Sequence, residues 1–338
     1  MHDENCGSAL ISDTSGTSKD LARNCSASKI TEDRIGFIGL GRMGRAMAGN
    51  LAGAGCKVTA FYRRSEHAQD LANLGLEPSN DIEELFDCDF LITMLPDDAA
   101  VREVVFGSAS QFGLDGLVSG LASDAVHISM STISPSASMQ FAEAHRKFDQ
   151  GYVAAPVFGN PDAAKARELY VIAGGASDQL QRCQPIFDLL GQRTFLIGSE
   201  PASANLVKLA GNMMTATTLE MLGEVMALIR KRGLDPNQFL DVLTSTMFGS
   251  RVHKIYGAKI AAQDYPESGF AFPLALKDVR LALAEGEAAN VPMPSVAVVR
   301  DRLITGIARG YGKLDWSALG LMAAEEAGLA RRAGTGSG

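Results

Sequence analysis

From Arg34 onward, short apolar runs alternate with stretches in which apolar residues recur every three to four positions. Ile35-Gly36-Phe37-Ile38-Gly39 reads as a buried strand, 43–54 as a helix and 58–62 as a second strand. Helical stretches are expected at 66–74 and 81–86, followed by a strand at 90–95 closed by Pro96. The pattern then predicts a helix at 99–105, a strand at 125–129 and a helix at 135–148. Later strands are expected at 152–154, 169–173 and 194–197, with a helix at 178–190. Strands alternating with helices imply a doubly wound, mainly parallel α/β sheet of the Rossmann type. After Gly198 the alternation stops. Residues 202–232 read as one helix, about 45 Å long, and everything beyond it reads as helical. The expected fold is an α/β Rossmann domain at 34–197, joined by a long interdomain helix to an all-α C-terminal domain at 198–330.

The ends differ from this pattern. Residues 1–33 are rich in Ser, Asp, Asn and Thr and carry no apolar run of the kind a signal peptide needs. Asp3, Glu4, Asp13 and Asp20 are unlike a mitochondrial presequence, which avoids acids. A disordered tail is expected there, and a frayed end at 331–338. The formal net charge of −8 argues against nucleic acid or an anionic membrane as partner. Cys6, Cys25, Cys56, Cys88 and Cys183 are odd in number and form no CxxC pattern, so unpaired thiols in a reducing cytoplasm are expected. The five histidines are scattered and no metal site is predicted. The long helix is apolar, yet Asn205, Lys208, Asn212, Glu220 and Glu224 are costly groups in a bilayer. It is read as a core helix bridging two domains.

Gly39-Leu40-Gly41-Arg42-Met43-Gly44 fits GxGxxG between a strand and a helix, the context that gives this weak motif meaning. The first glycine permits the tight turn, the second a close approach of backbone to pyrophosphate, and the third close helix–strand packing. Free N–H groups of the helix N-terminus then face the phosphates. At the tip of the second strand, NAD-binding chains carry an acid for the ribose 2′-hydroxyl. Here Tyr62-Arg63-Arg64-Ser65 follow Phe61 instead. Guanidinium groups suit a 2′-phosphate, so NADPH is expected over NADH, with Arg63 as the main reader. Leu95-Pro96 either lines the cofactor groove or simply ends a strand. The hydroxyls of the segment Ser131-Thr132-Ile133-Ser134-Pro135 cap the next helix, face the nicotinamide and substrate, or do both.

Asn205, Lys208, Asn212 and Thr215 are spaced three, four and three apart, one polar stripe on an otherwise apolar helix. A single lysine in such a stripe suggests an enclosed cleft. Carbonyl reduction needs a proton for oxygen, and lysine supplies it. Burial and an oxidised nicotinamide both lower its pKa and suit it to act as base in reverse. Asn212 orients Lys208 or holds the substrate oxygen.

With these segments in order, the chain resembles the β-hydroxyacid dehydrogenases, which include 3-hydroxyisobutyrate dehydrogenase and the glyoxylate/succinic-semialdehyde reductases. The segments are IGFIGLGRMGRAMAGNLAGAG from Ile35, MLP from Met94 and STISP from Ser131. APVFG from Ala155, NLVKLAGN from Asn205 and LALKDVRLAL from Leu274 complete the set. The resemblance covers residues 34–327. It implies a Rossmann domain, a long helix and an all-helical domain with the active site between them. It gives Lys208 the catalytic position and Asn212 the partner position. Leu95, Pro96 and Thr132 fall where the family contacts NAD(P), and Lys277 where a lysine reaches the cofactor. Without it, Lys277 and Asp278 read as a surface ion pair. It also implies a homodimer or homotetramer. At the substrate loop the family reads DxPVSGG, whereas this chain has Ala154 to Asn160 as AAPVFGN. Phe158 replaces the serine and Asn160 the second glycine. Phe158 points to a larger or more apolar ligand than a small hydroxy acid, whereas Asn160 and the backbone N–H groups around Gly159 still suit an anion.

The sequence therefore predicts an NADPH-dependent oxidoreductase acting on a small carbonyl or hydroxy acid. Two alternatives use the same scaffold: an imine reductase and a non-catalytic NADPH-binding module. A lysine at 208 repels an iminium ion and is of no use to a module that only binds, so it disfavours both.

Overall fold

A computed structural model describes residues 30–107 and 116–329. A nine-stranded sheet forms the N-terminal half. β1 (Arg34–Ile38), β2 (Lys57–Phe61), β3 (Glu77–Ser79), β4 (Phe90–Thr93), β5 (Val126–Ser129) and β6 (Gly151–Ala154) pair in parallel, in the order β3-β2-β1-β4-β5-β6. β8 (Leu169–Gly174) turns back antiparallel to β6 and to the short β7 (Val157–Phe158). β9 (Gly191–Gly198) closes the sheet, parallel to β8. β4 and β5 are buried at every position, as strands covered on both faces must be.

The crossover helices are α1 (Arg42–Gly53), α2 (Ala68–Ala72), α3 (Asp98–Phe106), α4 (Leu117–Gly120), α5 (Pro135–Arg146), α6 (Pro161–Lys165) and α7 (Ser177–Leu190). Two separate cores cover the two faces of the sheet. One is built on Phe37, Met47, Leu51, Ile92 and Phe187, the other on Ile38, Leu91, Val104 and Phe141. The mainly parallel sheet and its alternating helices agree with the sequence pattern. The helices expected at 66–74 and 81–86 are shorter: a 3-10 turn (Ser65–His67) leads into α2, and Ile82–Leu85 is itself a 3-10 turn. β3, β7, α4 and α6 were not expected, since two to five residues carry too little periodicity to read. Of the tail expected over 1–33, residues 1–29 lie outside the described residues, while Ile30 is buried in the first core. The end expected to fray at 331–338 also lies outside them.

α8 (Pro201–Lys231) is the long helix, and no strand follows it among the described residues. Pro201 sits in its first turn, where a missing N–H costs nothing. α9 (Pro236–Ser245), α10 (Arg251–Ala262), α11 (Phe272–Ala288), α12 (Pro294–Ala308) and α13 (Leu319–Glu326) complete the C-terminal half. Leu219 of α8 packs there with Phe272, Val279, Leu303, Trp316 and Met322. Ala204, near the start of the same helix, belongs to the second core of the sheet. α8 thus joins both halves, and its N-terminal part is the floor of the cleft between them. Among the described residues no helix is long and apolar enough to cross a membrane.

Candidate active site

The chain leaves β1 for β2 on one side and later returns to β4 on the other, so the sheet order reverses between β1 and β4. Ligands of doubly wound sheets bind at such a switch point, beyond the C-terminal ends of the strands. The glycine motif lies there. Gly39 has φ +101°, and a Cβ on it would collide with the Met94 carbonyl, so only glycine fits both the turn and the neighbouring strand. A Cβ on Gly44 would overlap the Gly39 carbonyl oxygen, which brings α1 hard against β1. Gly41 faces open space. It caps α1 without any side-chain hydrogen bond, so the first-turn N–H groups are open to an anion. This cradle fits a dinucleotide pyrophosphate.

Leu40 and Met43 pack against the first core from the loop. Arg42 extends across the cleft, and its Nη2 donates to the Gly269 carbonyl at 2.7 Å. Tyr62 follows β2, partly exposed, and donates its backbone N–H to Ser79. Arg63 and Arg64 are exposed at the strand tip, with Arg64 Nη1 3.9 Å from Glu66. Ser65 opens the 3-10 turn. Leu95 and Pro96 follow the end of β4, with the Leu95 side chain beside Gly39. Ser131 is fully buried, accepts from the Leu95 N–H at 2.8 Å and donates to the Thr93 carbonyl at 3.4 Å. Its hydroxyl therefore ties the ends of two strands together and keeps one acceptor position unused by these two bonds. Of the segment's hydroxyls, that of Ser134 caps α5, as the capping reading expects, accepting from the Ala137 N–H.

On the floor of the cleft, Lys208 is buried, and its Nζ donates to Asn212 Oδ1 at 3.0 Å, one turn along α8. Asn212 Nδ2 donates to Asp278 Oδ2 at 2.6 Å. Lys277 Nζ pairs with Asp278 Oδ1 at 2.9 Å and donates to the Thr132 carbonyl across the cleft. Asp278 is only 3 % exposed. The Lys277–Asp278 pair is thus part of the cleft and not a surface pair. Loss of water pushes the Lys208 pKa down to about 8, helped by repulsion from Lys277 and opposed by Asp278.

Phe158 puts its ring centroid 4.5 Å from Lys208 Nζ, within cation–π range. The ring lies so close to α8 that a Cβ on Gly211 would collide with it. Asn212 and the Phe158 ring thus both lie against the Lys208 ammonium. Gly159 is exposed beside Phe158, and Asn160 caps α6 by accepting from Ala163. Asn205 is buried with both amide atoms unbonded to protein, while Thr215 donates back to the Gly211 carbonyl and leaves the polar stripe. Asp278 was missed as a site residue, although a signal exists. It falls on the buried stripe of α11 with Ala275, Val279, Ala282 and Gly286, where a carboxylate needs a partner. Among the described residues no group of three or more His, Cys, Asp or Glu could hold a metal ion.

Residues 34–198 match the family model for the NAD binding domain of 6-phosphogluconate dehydrogenase. Residues 202–322 match that for the NAD-binding of NADP-dependent 3-hydroxyisobutyrate dehydrogenase. The chain is 38% identical over 288 residues to an uncharacterized oxidoreductase, YfjR, of Bacillus subtilis (strain 168), covering 85% of this chain and 98% of that protein. It is 32% identical to glyoxylate/succinic semialdehyde reductase 1 of Arabidopsis thaliana, over 84% of this chain and 96% of that one. Among solved structures, Mycobacterium tuberculosis 3-hydroxyisobutyrate dehydrogenase with L-serine aligns with a TM-score of 0.76 and 25% identity, covering 86% and 98% of the two chains. A glycine cradle at the sheet's switch point, a buried lysine on the long helix and two family models that together span both halves have one reading: the chain belongs to the 3-hydroxyisobutyrate dehydrogenase family of NAD(P)-dependent oxidoreductases.

Proposed function

We propose that the protein is an NADPH-dependent reductase of a small aldehyde or keto acid, or in reverse a dehydrogenase of a β-hydroxy acid, with Lys208 as general acid and base. The observation that carries this reading is the buried Lys208 ammonium, held by Asn212 and carrying a pKa of about 8. When bound, the reduced nicotinamide supplies the hydride for the carbonyl carbon. Lys208 gives a proton from Nζ to the carbonyl oxygen as negative charge develops there. Asn212 keeps Nζ in place by accepting one of its N–H groups. Below pH 8 the lysine is charged and ready to donate. Above it, neutral Nζ accepts the proton of a hydroxyl in the reverse direction. The Arabidopsis relative, named for glyoxylate and succinic semialdehyde, supports an aldehyde substrate. The ring of Phe158 beside Lys208 favours an apolar group next to the reacting carbon. NADPH consumption, followed by nicotinamide absorbance with panels of aldehydes and cyclic imines, tests the reading. Aldehydes should be reduced; turnover of imines alone, or of neither panel despite NADPH binding, would overturn it.

The cofactor choice rests on Arg63 and Arg64 at the tip of β2. A charge-assisted hydrogen bond from guanidinium to a 2′-phosphate contributes about 1.5–3 kcal/mol. Arg63→Ala should therefore lower the NADPH-to-NADH ratio of kcat/KM by about 10- to 100-fold, with the NADH values nearly unchanged. An unchanged ratio would remove Arg63 from the reading.

The proposed protein partner is a second copy of this chain. Val207, Met214, Met221 and Leu228 recur every seventh position on α8 and are all exposed, Met214 at 72 %. On the neighbouring α9, Val242 is exposed, while Phe239, Leu240 and Leu243 are partly buried against Leu222, Met226 and Ile260. The exposed face of α8 alone is about 45 Å by 10 Å, and with α9 it approaches the roughly 800 Å² per partner of a stable interface. Light scattering should give at least twice the chain mass, and Met221→Glu should lower it to one copy. A wild-type mass of one chain would reject the partner.

A further inference from the structure

The polar groups of the cleft form one connected chain, from the Thr132 carbonyl through Lys277, Asp278 and Asn212 to Lys208. Charged lysine only donates and a carboxylate only accepts, whereas an amide has one donor and one acceptor end. Asn212 therefore fits in a single orientation, with Oδ1 on Lys208 and Nδ2 on Asp278. Turned over, it would set its NH₂ against an ammonium and its oxygen against a carboxylate. The 2.6 Å bond to the buried carboxylate is what distinguishes the two orientations.

We propose that Asp278 is a positioning residue: its carboxylate locks the Asn212 amide so that its oxygen faces Lys208, and through Lys277 it anchors that lock to Thr132 on the opposite wall of the cleft. The proposal rests on the reading of Lys208 as proton donor. Asp278 touches no reacting atom and acts through Asn212. The charged groups acting on Lys208 are Asp278, which favours its charged form, and Lys277, which opposes it; Phe158 and the Thr132 carbonyl are neutral. The contact of Lys277 with Thr132 is thereby linked to the placement of the proton donor.

The test is the pH profile of aldehyde reduction by the full-length enzyme with saturating NADPH. Wild-type kcat should fall on the alkaline side of about pH 8. In Asp278→Asn the amide is free to turn and a favourable charge is lost, so kcat should drop about tenfold and its alkaline fall should move down by about one pH unit. Asp278→Glu should restore the position of that fall. Lys277→Met removes the opposing ammonium and should move it upward, which carries the test if Asp278→Asn does not fold. An alkaline fall that stays at the wild-type pH in the charge-altering variants would overturn the proposal while leaving Lys208 as donor. Near wild-type turnover in Lys208→Met would instead sink the reading on which it rests.

Discussion

Lys208→Ala is expected to lower kcat for aldehyde reduction by about 10²- to 10⁴-fold, the usual contribution of a positioned proton donor. NADPH affinity should change by less than about threefold, because in the proposed reading pyrophosphate and adenosine are held elsewhere, at the Gly39–Gly44 turn and the tip of β2. The alkaline fall near pH 8 should vanish from what activity remains. Stability should move differently. Lys208 is a buried cation whose nearest anion, Asp278, is already paired with Lys277. Its desolvation is only partly offset, so its removal should leave the melting temperature unchanged or raise it. Arginine is no substitute, since a guanidinium stays charged through any accessible pH and transfers no proton. The measurements are steady-state kinetics, NADPH fluorescence titration and a melting curve on the same preparation. Turnover within a few-fold of wild type would end the assignment. A large loss of both activity and stability would mark Lys208 as structural.

The parts of the site that depend on local geometry were legible in the sequence. The glycine spacing reports the turn after β1, because Gly39 and Gly44 are constrained by the adjoining strand and helix. Lys208 and Asn212, four residues apart on one helix, meet because helical periodicity alone brings them together. What was not legible depends on tertiary contact. Lys277 and Asp278 look like an exposed ion pair until α11 is laid beside α8. Ser131 has the chemistry of a substrate ligand, and the bond it accepts from the Leu95 N–H depends on the neighbouring strand. Asn160 caps a five-residue helix too short to register in the apolar pattern. The fold divides in the same way. Long elements such as α8 were anticipated within a residue or so, whereas β7, two residues long, exists only because β8 folds back along it.

Acidification from pH 6.5 to pH 4 is expected to destabilise the protein by about 3 kcal/mol through His145 alone, with His127 adding in the same direction. Both rings are fully buried between β5 and α5 in a chain running Thr93 Oγ1, His127, His145 and Gln150, with links of 2.9, 2.9 and 2.7 Å. The proton order follows from its far end. Gln150 spends its NH₂ on the Val118 and Leu121 carbonyls, so its oxygen must accept from His145 Nδ1. His145 Nε2 then accepts from His127 Nδ1, and His127 Nε2 accepts from the Thr93 hydroxyl. Every donor is matched only while both rings are neutral. Burial accordingly pushes the His145 pKa down to about 4 and that of His127 well below its ordinary value. Above pH 6.5 the rings are neutral folded or unfolded, and no penalty arises. Below it the unfolded chain takes up protons that the folded chain refuses, and stability falls by about 1.4 kcal/mol per pH unit for each ring until the folded pKa is reached. The chain ends at Thr93, whose carbonyl also holds Ser131, so acid should loosen the Leu95 wall of the cofactor crevice as the protein weakens. Urea unfolding at successive pH values should show this slope, and His145→Gln, less stable at pH 7, should show a shallower one. An identical slope in the variant and the wild type would assign the acid sensitivity to other groups.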